Sequence, residues 1–133
     1  MLADTRCPLA RAHMAFRPDL QTTLDRYAQA WNTPDPDERW ALVHACAASD
    51  VRYVDPGSEK PVCGQAALVA FMGLFHETVG QEFAFTGPAD GHHEWIRVPW
   101  QLRDATGPTA TGLLVATLDR DVRLVQVVDF VDG

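Results

Sequence analysis

The spacing of the apolar residues changes near Gly80, from a period of three to four residues to a period of two. Before that point the pattern predicts three helices. The first starts at Pro18, and its apolar stripe consists of Leu20, Leu24, Tyr27, Ala28 and Trp31. The second is capped by Asp35, with Pro36 at its first position, and is expected to end near Asp50. Its apolar face is predicted to contain Trp40, Val43 and Ala47. The third carries Ala67, Leu68, Phe71, Met72, Leu74 and Phe75 and stops near Gly80.

The alternating part of the pattern predicts an antiparallel meander. One strand, 51–55, precedes the third helix, and an irregular loop, 56–63, separates the two. Four more strands are expected at about 82–89, 93–103, 110–119 and 122–131, joined by the turn signals "DGH", "DATGP" and "DRD". The order α-α-β-α-β-β-β-β is that of an α+β fold. We predict a single domain over 18–133, preceded by an N-terminal extension, 1–17, that has no clear period.

Composition and charge narrow the possible partners. The net charge is −7, with 18 acidic against 11 basic residues, and no basic tract offsets it, so nucleic-acid binding is not expected. The three cysteines have unrelated spacings, which suits a reducing compartment rather than a disulfide framework. Charged residues interrupt the first sixteen residues, and no apolar run reaches membrane-spanning length. The sequence therefore predicts a cytoplasmic protein without a membrane partner.

Asp55 is the first candidate for chemistry, because it ends the strand "VRYVD". Alternation places it on the same face as Val51 and Tyr53, which must be the core face since Arg52 belongs outside. A carboxylate at an apolar rim is suited to act as a general base. The alternative is a turn aspartate whose oxygens bond the amides of Gly57 and Ser58.

Asp129 and Tyr27 are further polar groups predicted to lie on apolar faces. Asp129 shares its strand face with valines on both sides, which is costly unless the carboxyl is protonated or paired. Tyr27 lies on the stripe of the first helix and needs a partner for its hydroxyl. The alternatives are an edge or dimer-contact position for Asp129 and an ordinary core aromatic for Tyr27. The remaining residues expected to line a substrate pocket are Tyr53, Trp31, His93, Trp100, Leu114 and Phe71.

The histidines and glycines give no sign of a bound cofactor. His92 and His93 are expected to open the second long strand, and alternation turns one of them inward, where it acts as an acid or base or is a satisfied structural residue. Together with His76 they lack the further ligands that a metal site needs. No nucleotide-binding glycine pattern is present. We therefore predict no metal and no cofactor.

The element order, with "RYAQAWN" in the first helix and "VDPGSEKPVCG" after the first strand, resembles the NTF2-like superfamily and its SnoaL-like members. The resemblance implies three helices packed on a strongly curved sheet, a cone around an apolar pocket. Among these proteins the two motifs look most like those of the ketosteroid isomerases. In that comparison Tyr27 matches the oxyanion-hole tyrosine and Asp55 the proton-shuttling base. The isomerases' second donor, a protonated aspartic acid, falls at about Leu114, which cannot donate a hydrogen bond.

A second resemblance within the same fold is to the limonene-type epoxide hydrolases. Tyr53-x-Asp55, Arg97-x-Pro99 and Asp129 fall in roughly corresponding places, but Pro99 stands where those enzymes have an essential carboxylate.

These observations predict a cofactor-free acid/base enzyme of isomerase, cyclase or hydratase/hydrolase type, acting on a compact hydrophobic substrate with Asp55 as general base. The alternative is a non-catalytic ligand-binding or dimerisation module of the same fold. A homodimer is expected in either case, because the outer face of so wide a sheet carries Trp95, Leu113, Val115 and Val128.

Overall fold

The computed structural model describes residues 18–133, and the predicted extension, 1–17, lies outside the described residues. The described helices are α1 (Pro18–Asn32), α2 (Pro36–Cys46) and α3 (Gln65–Thr78). The strands are β1 (Ala47–Val54), β2 (Val62–Cys63), β3 (Glu82–Phe85), β4 (Asp90–His92), β5 (Trp95–Asp104), β6 (Gly107–Leu118) and β7 (Leu124–Val131). Within residues 18–133 no helix is long and apolar enough to cross a bilayer.

One sheet carries all of these strands, and the predicted α+β class is confirmed. The order along the sheet is β2-β1-β7-β6-β5-β3, with β4 also paired to β5. Only the β1–β7 pair among these is parallel. Register shifts in β5–β6 and β6–β7 mark bulges or irregularities, which bend a sheet and increase its twist.

Helix α2 begins as predicted but ends four residues early. The Asp35 side chain accepts from the Asp37 amide at 3.1 Å, and Pro36 occupies the first helical position. The predicted end near Asp50 is wrong, because from Ala47 the chain is extended and joins β7 as a neighbouring strand.

The buried face of α2 also differs from the prediction. Trp40 is 44% exposed, whereas Arg39 is buried. The Arg39 Nε donates to the Ala30 carbonyl at 3.1 Å, and its Nη2 donates to the Thr33 carbonyl. Arg39 thus satisfies carbonyls at the C-terminal end of α1, where a cation also complements the helix dipole.

Two predicted loops contain short strands. The sequence predicts a turn at "DGH", but Asp90–His92 forms β4 and pairs with β5, so the chain reverses at His93 and Glu94. Within the predicted loop 56–63, Val62 and Cys63 pair with β1. Both strands are two or three residues long, too short to show a period in the sequence.

The inner face of the sheet packs against the helices and forms the core. Trp95 and Trp100 lie on opposite faces of β5 as expected, with Trp100 buried and Trp95 42% exposed. The other buried sheet residues on this face include Val51, Tyr53, Ile96, Val98, Leu114, Ala116, Val127 and Asp129. One carboxyl side chain, Asp129, and one phenol, Tyr53, therefore lie within an otherwise apolar layer.

Candidate active site

A cavity of about 210 Å³ lies between the helices and the inner face of the sheet. Trp31 of α1 and Phe75 of α3 contribute to its wall on the helical side. The sheet and its loops contribute Tyr53, Asp55, Pro56, Gly57, Phe83, Trp100, Leu102, Asp129 and Val131. Most of this wall is aromatic or aliphatic, and among residues 18–133 no lysine, arginine or histidine takes part in it.

Two carboxyl groups meet at one hydroxyl in this cavity. The Tyr53 Oη lies 2.7 Å from Asp55 Oδ2 and 3.1 Å from Asp129 Oδ2. Tyr53 lies on the inward side of β1, and Asp55 follows two residues later, just after the strand ends. Asp129 reaches the same point from β7, which is the neighbour of β1 in the sheet. The alternation of both strands therefore brings the three side chains together.

The number of protons in this chain of three oxygens is limited. A phenol has a single O–H, so Tyr53 can donate to only one of the two carboxyl groups. For both short contacts to be hydrogen bonds, one carboxyl must itself carry a proton and donate it to Tyr53. Burial, followed by the nearby Tyr27 and the two aspartates, raises the pKa of Tyr53 well above its usual range, so the phenol stays protonated.

Asp129 is the carboxyl suited to hold that proton. Burial raises its pKa from 3.8 to about 7, and the charge of Asp55 acts in the same direction. The Tyr53 hydroxyl and the Trp100 indole N–H oppose this rise. Even so, Asp129 Oδ1 and Trp100 Nε1 are both buried without a hydrogen-bond partner among the described residues. The Trp100 N–H thus acts on the Asp129 carboxyl without the geometry of a formed hydrogen bond.

Asp55 combines the two roles that the sequence left open. Its Oδ1 accepts from the Gly57 amide at 2.8 Å, as a turn aspartate does. Its Oδ2 accepts from Tyr53 and lies at the cavity. The backbone carbonyl of Asp55 accepts from Ser58, which closes the turn. The turn thus fixes the orientation of a half-exposed carboxylate at the cavity wall.

Tyr27 is fully buried but does not line the cavity. Trp31 and Phe83, which do line it, pack edge-on against the Tyr27 ring at centroid distances of 6.2 and 6.0 Å. The Tyr27 hydroxyl has no hydrogen-bond partner among residues 18–133. Asp55, Tyr27 and Tyr53 were expected to line one cavity. Of these three residues, only Asp55 and Tyr53 do so.

The other predicted pocket residues divide into two groups. Tyr53, Trp31 and Trp100 line the cavity. The other three, Phe71, Leu114 and His93, lie outside the cavity, each for a different structural reason. Phe71 packs behind Tyr53 at 5.3 Å, and Leu114 is covered completely in the core. His93 is exposed in the β4–β5 turn with φ of 56°, its Nδ1 3.0 Å from that of His92, so the prediction of an inward histidine opening a strand is wrong.

Several lining residues are not singled out by the sequence. Phe75, Phe83, Leu102 and Val131 each fall in a predicted helix or strand, but their place at the cavity depends on how α3 and β3 pack. Leu102 shares the inward face of Trp100 by alternation, and Val131 that of Asp129, so a period of two is a signal for these two residues.

The expected arginine of an epoxide-hydrolase-like site lies on the wrong face. Arg97 is exposed and pairs with Asp90 at 2.9 Å, while its neighbours Ile96 and Val98 are buried. The part of the chain that the structure describes has no group of three or more side chains suited to a metal ion. The ionisable side chains of the cavity wall are Tyr53, Asp55 and Asp129.

The strand register places Asp129 beside the position where the isomerase resemblance lacks a donor. Leu114 on β6 and Asp129 on β7 are directly paired across the sheet. A carboxyl is thus present one strand away from the position at which the ketosteroid isomerases carry theirs.

The three helices packed on the mostly antiparallel curved sheet form an NTF2-like cone, and comparison with solved structures supports this. A candidate isomerase of the SnoaL-like family from Agrobacterium tumefaciens str. C58 is 32% identical, with a TM-score of 0.76, over 88% of this chain and 100% of that one. A candidate ketosteroid isomerase from Kribbella flavida is 17% identical with a TM-score of 0.63, over 86% and 78% of the two chains. A candidate SnoaL-like polyketide cyclase from Jannaschia sp. CCS1 is 14% identical with a TM-score of 0.62, over 87% and 89%.

The first of these similarities covers the whole of the related chain at more than 30% identity. The chain therefore belongs to the SnoaL-like family. No family model and no curated protein sequence matches it.

Proposed function

We propose that this protein is a cofactor-free acid/base enzyme, an isomerase or cyclase that moves a proton on a compact apolar carbonyl compound. Asp55 is the general base and Asp129 the proton donor. The observation that carries the proposal is the meeting of both carboxyl groups at the Tyr53 hydroxyl, at the wall of an apolar cavity. Two carboxyl groups in unequal environments, one buried and one half-exposed, form an acid/base pair.

The chemistry follows from these protonation states. Asp55 removes a proton from the carbon next to the carbonyl group, and the C–H electrons move into an enol. Asp129 gives its proton to the carbonyl oxygen, which avoids a free enolate in an apolar cavity. In an isomerisation Asp55 then delivers its proton to another carbon, and the enol proton returns to Asp129. Each group ends in its starting state.

The size and charge of the cavity support a small and uncharged substrate. Its 210 Å³ lies between a cavity of about 150 Å³ that holds benzene and the roughly 300 Å³ at which typical ligand pockets begin. A single ring fits this range better than a fused-ring skeleton. Two carboxyl groups, with no cation beside them among the described wall residues, disfavour an anionic substrate.

The relationship to other proteins supports the same class. The Agrobacterium tumefaciens relative is named as a candidate isomerase and the Jannaschia protein as a candidate polyketide cyclase. Proton transfer at a carbon next to a carbonyl group is compatible with both names.

A simple substrate tests the proposal. Cyclohex-3-enone is a one-ring ketone whose isomerisation to the conjugated cyclohex-2-enone is followed by ultraviolet absorbance. We expect the protein to accelerate this reaction and Asp55→Asn to reduce the rate to that of buffer. The matched control, Asp50→Asn, replaces an exposed carboxyl on β1, the strand that precedes Asp55, and should keep the full rate.

Two results would contradict the enzymatic proposal. One is an equal rate for Asp55→Asn and the wild type. The other is binding of the ketone, seen by NMR at the cavity residues, without any turnover. The second result would favour the alternative, a ligand-binding module with the same cavity.

A further inference from the structure

The indole N–H of Trp100 has no role in the reaction proposed above. Its side chain is buried at the cavity wall, yet its indole Nε1 has no hydrogen-bond partner among the described residues. The same is true of Asp129 Oδ1. A buried donor and a buried acceptor, both unpaired at one cavity, require a physical explanation because each costs free energy.

Gly112 determines where the N–H edge of the Trp100 ring lies. Trp100 on β5 is paired with Gly112 on β6, and β6 is the strand between β5 and β7. A Cβ atom at Gly112 would lie 2.3 Å from Trp100 Cζ2 and 2.6 Å from Cε2, the ring atom bonded to Nε1. The ring edge that carries Nε1 therefore lies over Gly112, a position of β6 without a side chain. The indole N–H acts on the Asp129 carboxyl of β7, the next strand of the sheet.

We propose that the indole N–H of Trp100 is a preorganised donor for the carboxylate that forms when Asp129 gives up its proton. This inference rests on the proposed function, in which Asp129 is the proton donor. Trp100 acts through Asp129 and is a positioning residue of the reaction. The two unpaired atoms of the resting state become partners in the charged state.

The hydrogen-bond chain reverses during this step, and its protons balance. In the resting site Asp129 donates to Tyr53, and Tyr53 donates to the Asp55 carboxylate. After the step Asp55 carries the proton taken from carbon, and Asp129 has lost its proton to the substrate oxygen. Asp55 then donates to Tyr53, while Tyr53 and Trp100 both donate to the Asp129 carboxylate. The negative charge moves from one aspartate to the other, and each state has its donors.

The surroundings of Asp129 leave few other sources of such stabilisation. Among the described residues, three titratable groups face Asp129. They are Tyr53 on β1, Asp55 just after β1, and Tyr27 on α1. From β6 its paired neighbour is the apolar Leu114. Asp55 and the aromatic surroundings oppose the charge, so the donors Tyr53 and Trp100 must stabilise it.

The four tryptophans make a direct test possible in the wild-type protein. Each indole N–H gives one resonance in a proton–nitrogen spectrum. We expect the Trp100 resonance to move downfield with a midpoint at the pKa of Asp129, about 7, and to stop moving in Asp129→Asn. The exposed Trp40 and Trp95 are internal controls, and their resonances should behave alike in the wild type and in Asp129→Asn.

A second variant separates this role from simple packing. Trp100→Phe keeps an aromatic wall without the N–H. It should raise the pKa of Asp129 above its wild-type value, move the alkaline limb of the pH–rate profile to higher pH, and lower kcat by about 100-fold with little change in KM. Trp31→Phe also removes an unpaired indole N–H at the cavity and should leave the pKa of Asp129 unchanged.

The inference fails if the Trp100 resonance stays constant while Asp129 titrates, or if Trp100→Phe leaves the pKa of Asp129 unchanged. Failure of the proposed function has a different signature. In that case Trp100 and Asp129 titrate together, but no turnover depends on Asp55.

Discussion

Replacing Asp129 by asparagine should stabilise the protein at pH 8 and change its stability little at pH 4. The pKa of Asp129 is about 7 in the folded protein, against the ordinary value of 3.8 expected in the unfolded chain. Between these values the folded state binds more protons than the unfolded state, so Asp129 lowers the free energy of unfolding as pH rises from about 4 to about 7. Above pH 7 the loss is complete.

The magnitude follows from the same two pKa values. The gap between about 7 and 3.8 corresponds to about 4 kcal/mol, at about 1.4 kcal/mol for each pH unit. Coupling to Asp55 and relaxation around the charge make this an upper value. The introduced asparagine keeps the shape of the side chain, and its amide N–H can donate to the Tyr53 oxygen as the protonated Asp129 does, so the cost of the substitution itself is small.

Urea unfolding at pH 4 and pH 8 measures the effect. The variant should exceed the wild type by about 2 to 4 kcal/mol at pH 8, and the two should agree to within about 1 kcal/mol at pH 4. Asp50→Asn, at an exposed position of β1, is the control for the removal of a surface carboxyl. A difference for Asp129→Asn that is the same at both pH values would refute the reasoning.

Two further predictions concern packing and assembly. Arg39→Leu should lower the free energy of unfolding by about 3 kcal/mol, because the carbonyls of Ala30 and Thr33 lose charged donors. Urea titration measures this loss, and an effect below about 1 kcal/mol would contradict the prediction. We also propose a homodimer through the outer face of β5–β7, where Phe130 is 54% exposed. Light scattering should find a dimer for the wild type and a monomer for Phe130→Glu. A monomeric wild type would refute the proposed dimer.

The α+β class and the expected inward position of the two aspartates followed from period and alternation. Alternation predicted that Asp55 and Asp129 face the core, and the second half of each strand, from Val51 in β1 and from Val127 in β7, does alternate. The resemblance then supplied the packing of helices on a curved sheet. The meeting of the two aspartates at Tyr53 needed the parallel pairing of β1 with β7, which no local pattern contains.

The failures have local physical causes. In α2 the guanidinium of Arg39 finds carbonyl partners inside the protein, so a charged residue takes the buried face and Trp40 turns outward. The end of the same helix is set by pairing with a strand some eighty residues later, which period alone cannot show. The sequence predicts that His93 opens a strand, but β4 extends through His92 and moves the turn to His93.

Carboxyl-carbon NMR titration of Asp129 in the wild-type protein shows whether the Tyr53 hydroxyl lies between one protonated and one ionised carboxyl, as the proposed acid/base pair requires. We expect the Asp129 resonance to change with a midpoint near pH 7, and this midpoint to rise in Tyr53→Phe, where a donor to its carboxylate is lost. An Asp129 resonance that titrates near 3.8, the ordinary value of an aspartate, would show that the acid/base pair does not exist.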